Sequence, residues 1–400
     1  MTLADFEALA LGNNPTLRQA AANVQAARGR WVQVGLRPNP MGGYLATEIG
    51  DEGRAGQQGG FISQEIVTGG KLELNRDIAT QEIRRTQAEF AAQRGRVLTD
   101  VRMHFFDVLV AQRGVEIAGE LMRIGRETSD ATDQLLKGKL AAPLDVLQVD
   151  VELETARIQQ QNAKNRHLGA WRRLAAVVGV PQMQQVTIVG DLDQLLPRIT
   201  WEDAVVRVIG ASPELAAAQA RANRARSAVE RAIAQRVPNI EAEASVQHDN
   251  ATSDDIVGVQ IGLPIPLFNR NQGGIRQTES ELVSARANAA RVELALTNRL
   301  AVAFEQYSNA RSQVEAYSQR ILPKARKSLD IVTNARRLGK QFSYPTVLVS
   351  QRTYFQANVA YLSALVELKR SEALIEGLML SDSLNAPALD STPDAAIPTR

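Results

Sequence analysis

The chain is written twice. Shifting it by 198 residues aligns Thr2–Pro40 with Thr200–Pro238 without a gap, so that Asp5 meets Asp203, Gly12 meets Gly210, Pro15 meets Pro213 and Leu17 meets Leu215. In both copies a glycine shortly before Asn-Pro or Ser-Pro closes a short helical pattern, and the proline opens a longer one. The likeness continues as order. An alternating segment, a Gly/Asp/Asn-rich loop, a second alternating segment, a Gly-rich turn and a very long helix follow in each half. Each half then breaks at a tip, GKLAAPLDVLQ (138–148) and GKQFSYPTVLVSQ (339–351), before a last helix. A period near 200 is too long for a solenoid and indicates duplication of a whole helix–hairpin–helix–helix unit. The first repeat is expected over 1–198, with a linker near 179–198. The second is expected over 199–380, and the Pro/Ala/Asp/Ser-rich stretch 381–400 reads as a disordered tail.

The alternating segments lie near 41–49, 60–67, 240–248 and 256–267. In the last, Val257, Val259, Ile261, Leu263, Ile265 and Leu267 share one face, opposite Gly258, Gln260 and Gly262. That is a strand with one apolar and one wet side. About ten residues suits a tilted membrane β-strand, and a soluble two-sheet domain fits the same signal. Pro264 and Pro266 remove successive N–H donors toward one neighbour, so pairing is expected to end there, as at a barrel rim.

The long helices are expected near 72–136, 143–178, 274–336 and 345–378. In the third, Leu282, Ala285, Ala289, Val292, Leu296, Leu300, Ala303, Tyr307, Ala310, Val314, Tyr317 and Ile321 step by three and four. This is coiled-coil spacing, with a change of winding expected at the Leu296–Leu300 stutter. A helix over 274–336 would be on the order of 95 Å long, more than a compact domain houses. The residues are 44% apolar yet only 4% aromatic, as thin, closely packed helices require. A net charge of +2 gives no excess for nucleic acid. No run of 18 apolar residues is present for a membrane helix. The absence of cysteine excludes disulfides, thiolate metal sites, a cysteine nucleophile and a lipidated cysteine on this chain.

SQEIVTGGK (63–71) and GLPIPLFNRNQG (262–273), with the two tips, resemble the TolC-like outer-membrane efflux family, and most closely its heavy-metal efflux (CzcC/CusC-like) branch. The likeness runs from Thr2 to about Leu380. It implies an α+β membrane protein: a homotrimer whose chains each give four strands to a twelve-stranded β-barrel, continued by a periplasmic α-barrel of long helices. It implies an outer-membrane and periplasmic location, a periplasmic adaptor and an inner-membrane pump (of the RND type) as partners, and no cofactor. GVPQMQQVTIVGDL (179–192) would join a belt around the helical tube. The adaptor-docking tips would be Gly138, Lys139, Leu140, Gly339, Lys340 and Gln341. The periplasmic gate would be Asp145, Gln148, Thr346 and Val349, without the family's acidic pair in the second tip. The lipid-facing barrel residues would be Val257, Val259, Ile261 and Leu263. MTLADFEALALGNNP enters a helical pattern at once, so a leader encoded upstream of Met1 is expected.

Chemistry is sparse. No nucleophile elbow, phosphate loop, dinucleotide fingerprint or HExxH occurs, and no catalytic residue is assigned. His104 is expected as a packing residue and His167 as a solvated one. His248, before Asp249, Asp254 and Asp255, reads as part of a hydrophilic extracellular loop rather than a metal site, since no fixed ligand spacing is present. NRNQGG could hold an anion at a helix start, but a strand-to-helix turn explains it. Trp31, Trp171 and Trp201 all fall in helical patterns and not in an aromatic girdle. At the tips, Gly138 and Gly339 are expected to take φ > 0, with Pro143 and Pro345 starting the returning helices. The expected function is a passive exit duct of a tripartite efflux pump, conducting divalent heavy-metal cations or drugs. The alternative is a periplasmic adaptor protein, which carries a single helical hairpin where this chain shows two helical pairs and two strand pairs.

Overall fold

The computed structural model describes residues 1–50, 53, 55–139, 141–192, 197–337 and 344–385, with 334–337 and 344–345 as backbone only. The elements are α1 (Leu3–Asn13), α2 (Pro15–Val34), β1 (Met41–Thr47), β2 (Gln57–Ile66), α3 (Lys71–Lys137) and α4 (Pro143–Val178), then α5 (Trp201–Ala211), α6 (Pro213–Ala234), β3 (Ile240–Asp249), β4 (Asp254–Gly262), α7 (Gln272–Ala316), α8 (Leu322–Arg337) and α9 (Tyr344–Glu376). Two compact units result, and each draws on both halves of the sequence. One comprises Met1–Arg18, Ala91–Ser212 and Leu294–Leu389; the other holds Gln19–Phe90 and Pro213–Glu293.

Equivalent residues start α1 and α5. Thr2 N–H donates to Asp5 Oδ2 at 2.7 Å, and Asp203 N–H donates to Thr200 Oγ1 at 3.2 Å. Each satisfies a donor that the first helical turn leaves open.

In the unit built on 19–90 and 213–293, the four strands form one antiparallel sheet in the order β1-β2-β3-β4. The β2-to-α3 junction of the first hairpin is stitched to the α6-to-β3 junction of the second. Thr68 Oγ1 donates to Pro238 O at 2.5 Å, Lys71 Nζ to Asn239 Oδ1 at 2.5 Å, and Asn239 Nδ2 to Glu65 Oε1 at 2.6 Å. Gly69 and Gly70 turn the chain into α3 with φ of 67° and 66°, a region that side chains with a Cβ avoid. Strand β4 ends at Gly262, opposite Glu241, short of the expected Leu267. β3 offers one residue more, Ile240, before the turn from α6 through Pro238, and Pro264 has no N–H to carry the ladder on.

The other unit is helical. Phe6, Val97, Val101, Phe105, Leu174 and Ile188 are at most 2% exposed and lie in one core, with Phe6 edge-on to Trp171 at 6.0 Å. Ile188 brings the segment 179–192 into this core, and Trp171 Nε1 donates to Met183 O at 3.0 Å. On α4, Val149, Ala156, Ala163, Ala170 and Val177 recur every seventh residue and are each at most 4% exposed. A strict seven-residue seam is the mark of supercoiled packing.

The third long helix departs from the expected single run over 274–336. The Leu296–Leu300 stutter lies in continuous α-helix, with both leucines fully buried. The backbone bonding changes at Tyr317–Ile321, one turn of π-helix closed by Leu322 N–H on Tyr317 O. Pro323 supplies the reason, since it has no N–H to give the carbonyl four residues earlier. The extra residue shifts the seam, so Ile321 is 39% exposed while Ala325, Leu329 and Val332 resume it. The start of the expected disordered tail is also ordered. Asp382 and Ser383 N–H groups donate to the two oxygens of Asp100 at 3.1 and 2.6 Å, and Ser383 is fully buried. Residues 386–400 lie outside the described residues.

Candidate functional site

The sheet carries the first set of candidate residues. Directly opposed residues of antiparallel strands share a face, so the register sorts every side chain. Tyr44, Gly60, Val246 and Val257 form one row, and Gly42, Ile62, Ala244 and Val259 the next. On this face Tyr44, Ile62, Val246, Val257, Val259 and Ile261 are 58–75% exposed. The opposite face holds Glu65 with Glu241, Ser63 with Glu243 and Gln260, and Thr47, whose hydroxyl donates to Gln247 Oε1 at 3.2 Å. Met41, Leu45, Phe61 and Ile256 interrupt its polarity. Leu263, expected on the lipid face of the strand, stands one residue beyond the end of β4 and is 53% exposed.

The histidines sort differently from expectation. His248 belongs to β3 rather than a loop and faces Asp255 across the ladder, with Nδ1 at 2.9 Å from Oδ1. Among the described residues no three His, Asp or Glu groups converge as a metal site. His167 is half-buried rather than solvated. Gln185 Nε2 lies 3.0 Å from its Nδ1, and burial lowers its pKa. His104 packs as expected, with its ring 3.3 Å from Asp107.

The first tip is a tight turn. Gly138 N–H donates to Gln134 O at 3.0 Å and Lys139 N–H to Leu136 O at 2.9 Å. The left-handed residue is Lys139, at φ 58°, and not Gly138. The turn therefore falls one residue later than glycine preference predicts. Pro143 opens α4 as expected. Asp145 is engaged as a cap, accepting the Ala142 N–H at 2.9 Å, which suits the positive end of the helix dipole. Gln148 is exposed on the following turn, and Thr346 and Val349 are exposed on α9. Leu140, Gly339, Lys340 and Gln341 lie outside the described residues. Leu144, Leu147, Val151 and Ile158 of α4, away from the buried seam, are each 61–65% exposed.

Ion pairs that the sequence did not single out join these helices within the unit. Glu152 of α4 pairs with Arg352 of α9. Arg326 of α8 donates to Tyr354 Oη at 3.1 Å and lies 3.5 Å from Glu120 of α3. Arg370 of α9 holds Asp107 of α3 with two bonds, at 2.8 and 2.7 Å. Burial alone would raise the Asp107 pKa; hydrogen bonds from His104 and Arg370, with the Arg370 charge, outweigh it and hold the carboxyl below its usual range. His104 three residues before Asp107 was a local signal. Arg370, 263 residues away, was not readable from spacing.

Comparison with known proteins decides what this architecture is. The model of the family described as outer membrane efflux protein matches twice, over residues 8–180 and 205–379. The chain belongs to the outer membrane efflux protein family. It is 27% identical over 381 residues to the cobalt-zinc-cadmium resistance protein CzcC of Cupriavidus metallidurans, spanning 95% of this chain and 90% of that protein. Among solved structures, CusC superposes with a TM-score of 0.78 at 19% identity, over 95% of this chain and 92% of that one. The outer membrane protein VceC of Vibrio cholerae gives 0.76 at 18%, over 95% and 96%. These structural likenesses establish the shared fold.

An outer membrane efflux protein acts in the outer membrane and periplasm as the exit duct of an efflux pump, and its family is one of transport channels rather than an enzyme class. The adaptor alternative is set aside by that membership. No helix among the described residues is long and apolar enough to cross a membrane.

Proposed function

We propose that three copies of this chain close a twelve-stranded barrel in the outer membrane and continue it as a helical duct through the periplasm, passively conducting substrate delivered by an inner-membrane pump through an adaptor. The observation that carries this reading is the open sheet with one exposed apolar face. Four strands cannot close, and the outer edges of β1 and β4 would leave backbone groups unpaired in lipid. Joining β4 of one copy to β1 of the next removes both edges in a cyclic assembly. The exposed α4 stripe of Leu144, Leu147, Val151 and Ile158 adds an apolar surface that neighbouring helices would cover. Each chain would contribute two equivalent repeats, 1–198 and 199–380.

In this reading Val257, Val259 and Ile261 face lipid, while Gln260 and Glu243 face the aqueous bore. Asp145, Gln148, Thr346 and Val349 line the gate, and the turns at Gly138–Leu140 and Gly339–Gln341 receive the adaptor. Divalent heavy-metal cations are the proposed substrate class, following the name of CzcC. Energy would come from the pump, so the duct needs no catalytic group or cofactor. The test is a pair of arginine substitutions. Val259→Arg should cost on the order of 2–4 kcal/mol near the bilayer midplane and suppress trimer assembly in the membrane. Gln260→Arg should assemble normally. Equal assembly of the two would reject the assigned faces.

A further inference from the structure

The segment after β4, Leu263-Pro-Ile-Pro-Leu-Phe268, has no strand partner, yet its apolar side chains are outside. Leu263, Ile265, Leu267 and Phe268 are 53%, 72%, 64% and 90% exposed. We propose that this arm is a lipid-inserted collar, extending the apolar band of the barrel into the inner-leaflet side of the outer membrane. The inference rests on the lipid assignment of the sheet face made above and goes beyond it.

Three observations carry it. The first is height. The register places Val257 level with Tyr44 and Val246, and the next row on that face, Ala46, Gln58, His248 and Asp255, is polar over three of its four members. Extending the same register brings Leu263 level with Ile240 and Ile66, the residues that end their strands on this side of the sheet. From Val257 to Leu263 the face is apolar apart from Gln64, level with Ile261. At about 3.3 Å per residue and a tilt near 40° it rises roughly 15 Å, against about 25 Å for the apolar band of a membrane barrel. Three more residues, Pro264–Pro266, at about 3.1 Å each, the rise of an extended proline-rich chain, supply roughly 9 Å of a shortfall of about 10 Å before the chain bends at Leu267 and Phe268.

The second observation concerns donors. Irregular backbone is excluded from lipid because its N–H groups go unpaired. Here Pro264 and Pro266 have none, and Leu267 N–H is satisfied internally by Ile265 O at 2.9 Å. Three of five consecutive backbone positions thus present no open donor. The third is the boundary. Phe268 is followed by Asn269 and Arg270, whose Nε donates to Pro266 O at 3.2 Å. An aromatic ring followed by a cation marks the depth at which headgroups begin.

The absence of cysteine makes the test direct. Single cysteines at Val259, Gln260, Ile265 and Phe268 of the full chain are labelled with bimane, and the trimers are reconstituted into phosphatidylcholine vesicles containing acyl-brominated phosphatidylcholine. Quenching at Ile265 and Phe268 of at least half that at Val259, with little at Gln260, is expected. Quenching at Val259 without quenching at Ile265 and Phe268 would overturn the collar, leave the barrel standing and show that a second copy or water covers the arm. No quenching at Val259 would overturn both. Where a cysteine variant fails to assemble, Leu263 and Leu267 report on the same arm.

Discussion

At the scale of the residue, the molecule invests its buried charge in tying helices together. Asp107 is 5% exposed at its side chain and Arg370 is 43% exposed, so the pair is half desolvated. Removing the carboxylate strands the guanidinium and His104. A fully buried broken pair costs about 3–5 kcal/mol, and the exposure of Arg370 reduces this through solvent screening. Asp107→Asn should therefore destabilise by about 1–2 kcal/mol at neutral pH. The sign with pH follows from the depressed carboxyl pKa. The stabilisation is present above the unfolded-state value of about 3.9 and is lost as pH falls through the lower folded value. Denaturant unfolding of wild type and Asp107→Asn should thus differ by a constant amount from about pH 5 to 7 and converge below about pH 4. A gap that persists at pH 2 would show that packing, not charge, is responsible.

At the scale of the element, close approach sets the tolerances. The α4 seam places Ala163, 3% exposed, where a larger side chain must displace a neighbour. Ala163→Leu should cost about 1–3 kcal/mol through overpacking. Lys164→Ala, on the exposed side, should stay within about 0.5 kcal/mol. Thermal dissociation of the two variants compares them directly, and equal midpoints would mean that the seam is loose. The sheet has a stricter site at Gly59, where a Cβ would sit 1.9 Å from Val246 O, inside the β2–β3 ladder. Gly59→Ala should prevent membrane assembly by separating the two hairpins, read as loss of heat-resistant trimer on a gel.

At the scale of the whole molecule, the duct reading makes the tips its points of contact with other proteins. Gly138 and the left-handed Lys139 leave the tip small, as close docking of an adaptor hairpin requires. Gly138→Trp should abolish efflux and cross-linking to the adaptor while the detergent-extracted protein keeps the mass of a trimer. Persistent efflux from such a trimer would reduce the tip to an ordinary connecting turn.

The amino-acid order alone determined the periodic features. Strand alternation, the three-and-four steps of the long helices and the 198-residue shift are local or self-referential signals, legible because one face of each element must be apolar. Even there it misled wherever a backbone bond was at stake. Pro323 put a π-turn at Tyr317–Ile321 that the three-and-four spacing did not announce, and the left-handed residue of the tip proved to be Lys139. Only the tertiary structure decided which residues meet across the chain. It joined Arg370 to Asp107, Arg352 to Glu152 and Ser383 to Asp100, and it ended β4 at Gly262, within one residue of the end of β3. Such pairings depend on the register and packing of elements hundreds of residues apart, and residue spacing carries no information about either.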